Sequence, residues 1–100
     1  MSNNEPSQNQ QIQIRVKDNE LKGSYANALQ ISHSQEEFFL DFLLIYGITG
    51  QLVKRIIVSP RNAKRIMSAL QDNLAKYESR FGPIQKSDAG STNFGFNVQK

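Results

Sequence analysis

Cysteine is absent from this 100-residue chain, and histidine occurs once, at His33. Disulfides, thiolate metal sites and a cysteine nucleophile are therefore excluded, and one imidazole cannot build a multi-histidine zinc site. Long apolar runs are missing as well. The longest, Phe42–Tyr46, has five residues, against the roughly 20 that a membrane helix needs. No basic stretch followed by an apolar one marks a signal peptide near Met1, so no membrane partner and a cytoplasmic location are expected. The chain also lacks a nucleophile elbow, a phosphate-binding loop, a dinucleotide fingerprint and any metal-ligand spacing. The expectation is a protein that is not an enzyme, with no cofactor and no metal.

Apolar residues are scarce at both ends. Residues 1–10 are almost wholly Asn, Gln, Ser, Glu and Pro after Met1, and such a segment cannot bury enough surface to offset its ordering entropy. Residues 85–100 are similar, so 1–10 and 85–100 are expected as polar, flexible tails around a single domain at 11–84. Within the second tail, Asn93-Phe94-Gly95-Phe96-Asn97-Val98 alternates like a short strand that could add to a sheet edge or serve as a peptide ligand. A domain this short buries only about 60% of the surface of its unfolded chain, so help from a second copy is unsurprising.

What is present is period-two patterning followed by period 3.6. Ile12, Ile14 and Val16 alternate with Gln13, Arg15 and Lys17, as in a half-buried strand. Asp18-Asn19-Glu20 and Gly23 then supply turn chemistry. Tyr25–Ser32 reads as a second strand, Glu37 to about Ile45 as a third, and Gln51–Val58 as a fourth. The third is not clean in either period and could be a buried helix. Its short length, its aromatic residues and the flanking polar turn and glycines favour a strand.

The helix is defined at both ends. Ser59 suits an N-cap, and Pro60 suits the first helical position, where its missing N–H costs nothing. Ala63, Ile66, Met67, Leu70, Leu74, Tyr77 and Phe81 follow at spacings of three and four, and Gly82-Pro83 stops the run. The fold class expected is α+β: a four-stranded antiparallel sheet followed by one long C-terminal helix packed on one face.

A hairpin of strands three and four in which paired numbers sum to 96 sets Asp41 opposite Arg55, Phe39 opposite Ile57 and Leu43 opposite Val53. This register matches charge with charge and apolar with apolar. One helix covers only one face of a sheet. Phe39, Asp41, Leu43, Val53 and Ile57 would then form an uncovered association surface, pointing to a homo-oligomer or to a protein or peptide partner.

Net charge is only +3, but no acid lies between Asp41 and Asp72, where Lys54, Arg55, Arg61, Lys64 and Arg65 fall. Cations in the first turns of a helix are unfavourable by roughly 0.3–1 kcal/mol each. A bound phosphate, nucleic-acid backbone or acidic partner would relieve that, and a solvated polar face is the plainer alternative. Nucleic acid is thus a possible partner and not the favoured one. For catalysis, Glu37 and Asp41 would share one side of a strand about 13 Å apart, too far for a glycosidase-type pair. His33 reads as an ordinary turn imidazole.

Taken in order, these residues carry a resemblance. Gly23, Tyr25-Ala26-Asn27, His33-Ser34, Glu37-Phe38, Asp41-Phe42, Arg55, Ser59-Pro60, Ala63-Lys64, Leu70, Asn73-Leu74, Tyr77-Glu78 and Phe81-Gly82 together resemble a prokaryotic family of small proteins known as domain of unknown function 3467. The resemblance spans about residues 12–84. It implies a bacterial or archaeal cytosolic protein and brings no activity or catalytic residue with it. The expected topology is also similar to the subunit of the export chaperone SecB, an analogy of fold alone.

Overall fold

The computed structural model describes residues 11–85. Its elements are α1 (Asp18–Leu21), β1 (Ala28–His33), β2 (Phe38–Tyr46), β3 (Thr49–Val58) and α2 (Pro60–Phe81), with the strands forming one antiparallel sheet in the order β1-β2-β3. The fold is α+β, with three strands where four were expected. The tail expected at 1–10 and all but the first residue of the tail expected at 85–100, with the Asn93–Val98 alternation, lie outside the described residues.

The missing strand is the first. Residues 11–17 join no ladder, and Ile12 and Ile14 are 88% and 80% exposed. Alternation fixes which side chains would share a face, but a strand exists only where another strand supplies its backbone partners. The turn expected at Asp18-Asn19-Glu20 closes instead as one helical turn, the Glu20 and Leu21 N–H groups donating to the Lys17 carbonyl at 2.9 and 3.2 Å. With the fourth strand goes the likeness to the SecB subunit.

The other strands lie within three residues of their expected ends. β1 begins at Ala28 because Asn27 uses its side chain on β2. The Asn27 Nδ2–H donates to the Ile45 carbonyl and the Ile45 N–H donates to Asn27 Oδ1, both at 2.9 Å. Between β1 and β2, the Ser34 hydroxyl accepts from the Glu36 and Glu37 N–H groups, each at 3.2 Å. His33 and Phe38 then stack across the turn with centroids 5.0 Å apart.

β2 and β3 meet at a two-residue loop, Gly47-Ile48, with Gly47 at φ 65°, as a tight hairpin loop requires of its first central residue. Such a loop sets Tyr46 opposite Thr49, a sum of 95. A side chain added at Gly50 would come within 3.2 Å of Ile45, which is consistent with that sum. An unbroken ladder would then send Asp41 and Arg55 to opposite faces, yet the two are ion-paired. β3 therefore takes in one extra residue between Gly50 and Arg55, the effect of a β-bulge. The expected sum of 96 holds at Asp41–Arg55 and does not extend to the turn.

α2 matches its expected bounds. The Ser59 hydroxyl accepts from the Asn62 N–H at 3.2 Å, and Gly82, at φ 97° and ψ 167°, donates its N–H to the Glu78 carbonyl. The chain divides into two compact units. One takes in α1, β1 to Ser32 and Phe39–Ile56; the other takes in His33–Phe38 and the chain from Ile57 through α2.

Among the described residues no apolar side chain is buried; the buried residue is Asp41, at 7% exposure. Ile66, Met67, Leu70, Leu74, Tyr77 and Phe81 stay 42–65% exposed. An apolar stripe specifies that something covers it and is silent on which surface does so.

Candidate association surface

The sheet holds one cluster of interacting charged and aromatic side chains. β2 carries Phe39 and Asp41, and the bulged β3 brings Arg55 across from them. The Arg55 Nε–H donates to Asp41 Oδ1 at 2.7 Å, and Nη2–H donates to Oδ2 at 2.9 Å. This is the two-pronged fit of a planar guanidinium to a carboxylate. The Arg55 Cζ lies 5.2 Å from the centroid of the Phe39 ring, within reach of a cation–π attraction.

Burial of the pair is uneven: the Asp41 side chain is 11% exposed and that of Arg55 51%. The hydrogen bonds from Arg55 hold the Asp41 carboxyl below its ordinary range, outweighing the opposing effect of burial. The same bonds raise the Arg55 guanidinium further above its already high value. The pair stays charged throughout the physiological range and has no proton to exchange there.

The sequence expectation of an association surface at Phe39, Asp41, Leu43, Val53 and Ile57 places Phe39, Leu43 and Val53 half-buried and Ile57 exposed. The five expected polyanion ligands are divided between the two units. Lys54 and Arg55 belong to the first compact unit and Arg61, Lys64 and Arg65 to the second. Arg55 is occupied by Asp41, and Arg65 Nη1–H donates to the Asn62 side-chain oxygen at 3.4 Å. His33 stands at the end of β1 with its ring on Phe38, where a turn residue was expected. The described residues contain no cluster of three or more groups that could hold a metal, and none of their helices is long and apolar enough to cross a membrane.

Sequence reading did not single out the Asn27 amide. An Asn on a strand pattern carries no sign that its side chain will replace a backbone partner. A weak hint was available: Asn is unfavourable within a strand, so its presence argues for a side-chain role at a strand end.

No curated protein and no solved structure matches the chain. The family expected from the residues is the one found, and its match begins earlier than residue 12. The family model described as "Protein of unknown function (DUF3467)" matches residues 1–86, and the chain belongs to that family.

Proposed function

We propose that this protein is a non-catalytic interaction module that completes its fold by self-association and receives a protein or peptide on the sheet around Phe39, Asp41 and Arg55. The observation that carries the reading is the lack of any buried apolar side chain among the described residues. Ordering the backbone costs about 1–2 kcal/mol per residue. The term that opposes this, about 1.5–3 kcal/mol for each large apolar side chain removed from water, is realised only in part in one copy, since the α2 stripe stays 42–65% exposed. A second copy supplies the missing cover. The Asp41–Arg55 pair favours a binding surface over a catalytic one, since it is satisfied and fully ionised.

Sedimentation and urea unfolding over a hundredfold range of chain concentration test this. The expected result is an oligomer whose unfolding midpoint rises with concentration; a strict monomer with a concentration-independent midpoint sinks the proposal. Binding of labelled extended apolar peptides, weakened by Ile57→Lys, tests the sheet surface. A prokaryotic cytoplasm is the proposed setting.

Polyanion binding has one observation in its favour: Arg61, Lys64 and Arg65 occupy the start of α2 with no acid in its first turn. Binding to generic DNA or RNA that falls steeply with salt, and is lost in Arg61→Ala/Arg65→Ala, would support it. No binding at low salt removes it.

A further inference from the structure

The apolar stripe of α2 has a finer order than amphipathicity requires. Ala63, Met67, Leu70, Leu74, Tyr77 and Phe81 are separated by four, three, four, three and four residues. That alternation keeps a strict seven-residue repeat, the spacing of a helix that pairs with another helix along a narrow seam. Of the six, Met67, Leu70, Leu74, Tyr77 and Phe81 are 42–65% exposed, and Ala63 is half-buried.

We infer that α2 pairs antiparallel with α2 of a second copy about a two-fold axis near Asp72. The inference rests on the self-association proposed above and assigns it a seam and a polarity. Three properties of the helix favour this occupant.

The first is side-chain volume. In an antiparallel pair the seam layers join residues whose numbers sum to 144. Ala63 then faces Phe81 of the second copy, Met67 faces Tyr77, and Leu70 faces Leu74. The smallest side chain meets one of the largest at each end, as interdigitated packing requires. A parallel pair would set Phe81 on Phe81 and Ala63 on Ala63, crowding one end and leaving a gap at the other.

The second is charge at the seam margin. The flanking positions Lys64, Gln71 and Glu78 pair at a sum of 142, so Lys64 meets Glu78 of the second copy twice by symmetry, and Gln71 meets itself. In the parallel arrangement the flanking pairs would be Ile66 with Gln71 and Asn73 with Glu78, which contain no ion pair. Glu78 accepts the Ile84 N–H on Oε2 at 2.9 Å, leaving Oε1 for a lysine.

The third is the helix dipole. Arg61 and Lys64 stand at the positive end of their own helix, where cations are unfavourable. Antiparallel pairing lays the negative end of the second helix beside them. The basic start of α2, otherwise a candidate polyanion site, is then accounted for within the assembly. The area is also adequate: six side chains of about half exposure offer roughly 600 Å² per copy, so the pair reaches about 1,200 Å², the lower end of stable interfaces.

Because the chain has no cysteine, each introduced thiol is the only one present. Under mild oxidation Gln71→Cys is expected to give a covalent dimer. Lys64→Cys and Glu78→Cys should each stay uncrosslinked alone and crosslink when mixed. Lys64→Glu should weaken dimerisation roughly tenfold, and Lys64→Glu/Glu78→Lys should restore it. A protein that sediments as a dimer while Gln71→Cys fails to crosslink overturns the antiparallel seam and leaves self-association standing. A dimer in which Lys64→Cys crosslinks to itself does the same. A monomer at about 100 µM overturns both.

Discussion

The Asn27 amide is the contact whose removal can be followed most directly. Its side chain makes two hydrogen bonds to the backbone of Ile45, and its own N–H donates to the Leu43 carbonyl at 2.9 Å. Asn27 thus works as an extra rung of the β1–β2 ladder, with a side-chain amide in place of a peptide group. Asn27→Ala removes the two side-chain bonds and leaves the third. At about 0.5–1.5 kcal/mol for each neutral bond, the loss is about 1–3 kcal/mol. These groups are exposed, so water can replace part of the lost bonding, and the lower half of that range is expected. Asn27→Asp keeps an acceptor for the Ile45 N–H but sets a carboxylate against the Ile45 carbonyl, and should cost at least as much as alanine. Urea unfolding at one fixed chain concentration measures the global cost. Amide hydrogen exchange supplies the local readout: Ile45 should be protected in the parent protein and exchange markedly faster in Asn27→Ala, with the centre of β2 unchanged. Unchanged exchange at Ile45 in both variants would refute the clamp, whatever the global stability did.

Other contacts give sharp expectations. Gly82→Ala should cost about 1–3 kcal/mol from backbone strain alone, because a side chain at φ 97° and ψ 167° is disfavoured although a Cβ there would meet no atom within 4 Å; urea unfolding checks it. Ser59→Ala should cost about 1 kcal/mol by losing the N-cap bond to Asn62, with exchange at the start of α2 accelerated. The Asp41–Arg55 pair predicts a pH dependence whose sign follows from the lowered carboxyl pKa. Its stabilisation is complete above the unfolded value of about 3.9 and is lost as pH falls through the lower folded value. Asp41→Asn should therefore be less stable than the parent at neutral pH, with the difference shrinking in strong acid; a constant difference from pH 7 to about 2 would contradict the assignment.

Elements defined by local chemistry were legible in the sequence, and those that depend on a second surface were not. α2 was fixed at both ends because Ser59-Pro60 and Gly82 act on their own backbone. The Asp41–Arg55 pair was found from charge matching along two neighbouring strands. The residues at 12–17 carry the same alternation as true strands, but pairing is a property of two segments, and among the described residues they join no ladder. The bulge escaped because nothing in Gln51-Leu52-Val53-Lys54 advertises an inserted residue. For α2 the sequence carries the width and spacing of the stripe, whereas the identity of the opposing surface lies outside the helix.

The residues that carry the family resemblance have identifiable structural tasks. Gly23 and Gly82 take positive φ where helices end, Asn27 clamps β2, and Ser34 closes a turn. Asp41 and Arg55 hold two strands face to face, and Ser59 starts α2. These polar groups are spent on the chain's own backbone and on each other, while the large apolar side chains of the α2 stripe stay 42–65% exposed. This is the arrangement expected when the unit that folds is larger than one chain: local contacts shape each copy in advance, and the hydrophobic stabilisation arrives on assembly. On this argument Lys64→Glu should lower the urea midpoint as well as dimerisation, whereas a Lys64→Glu monomer of parental stability would show that the single chain has a core of its own.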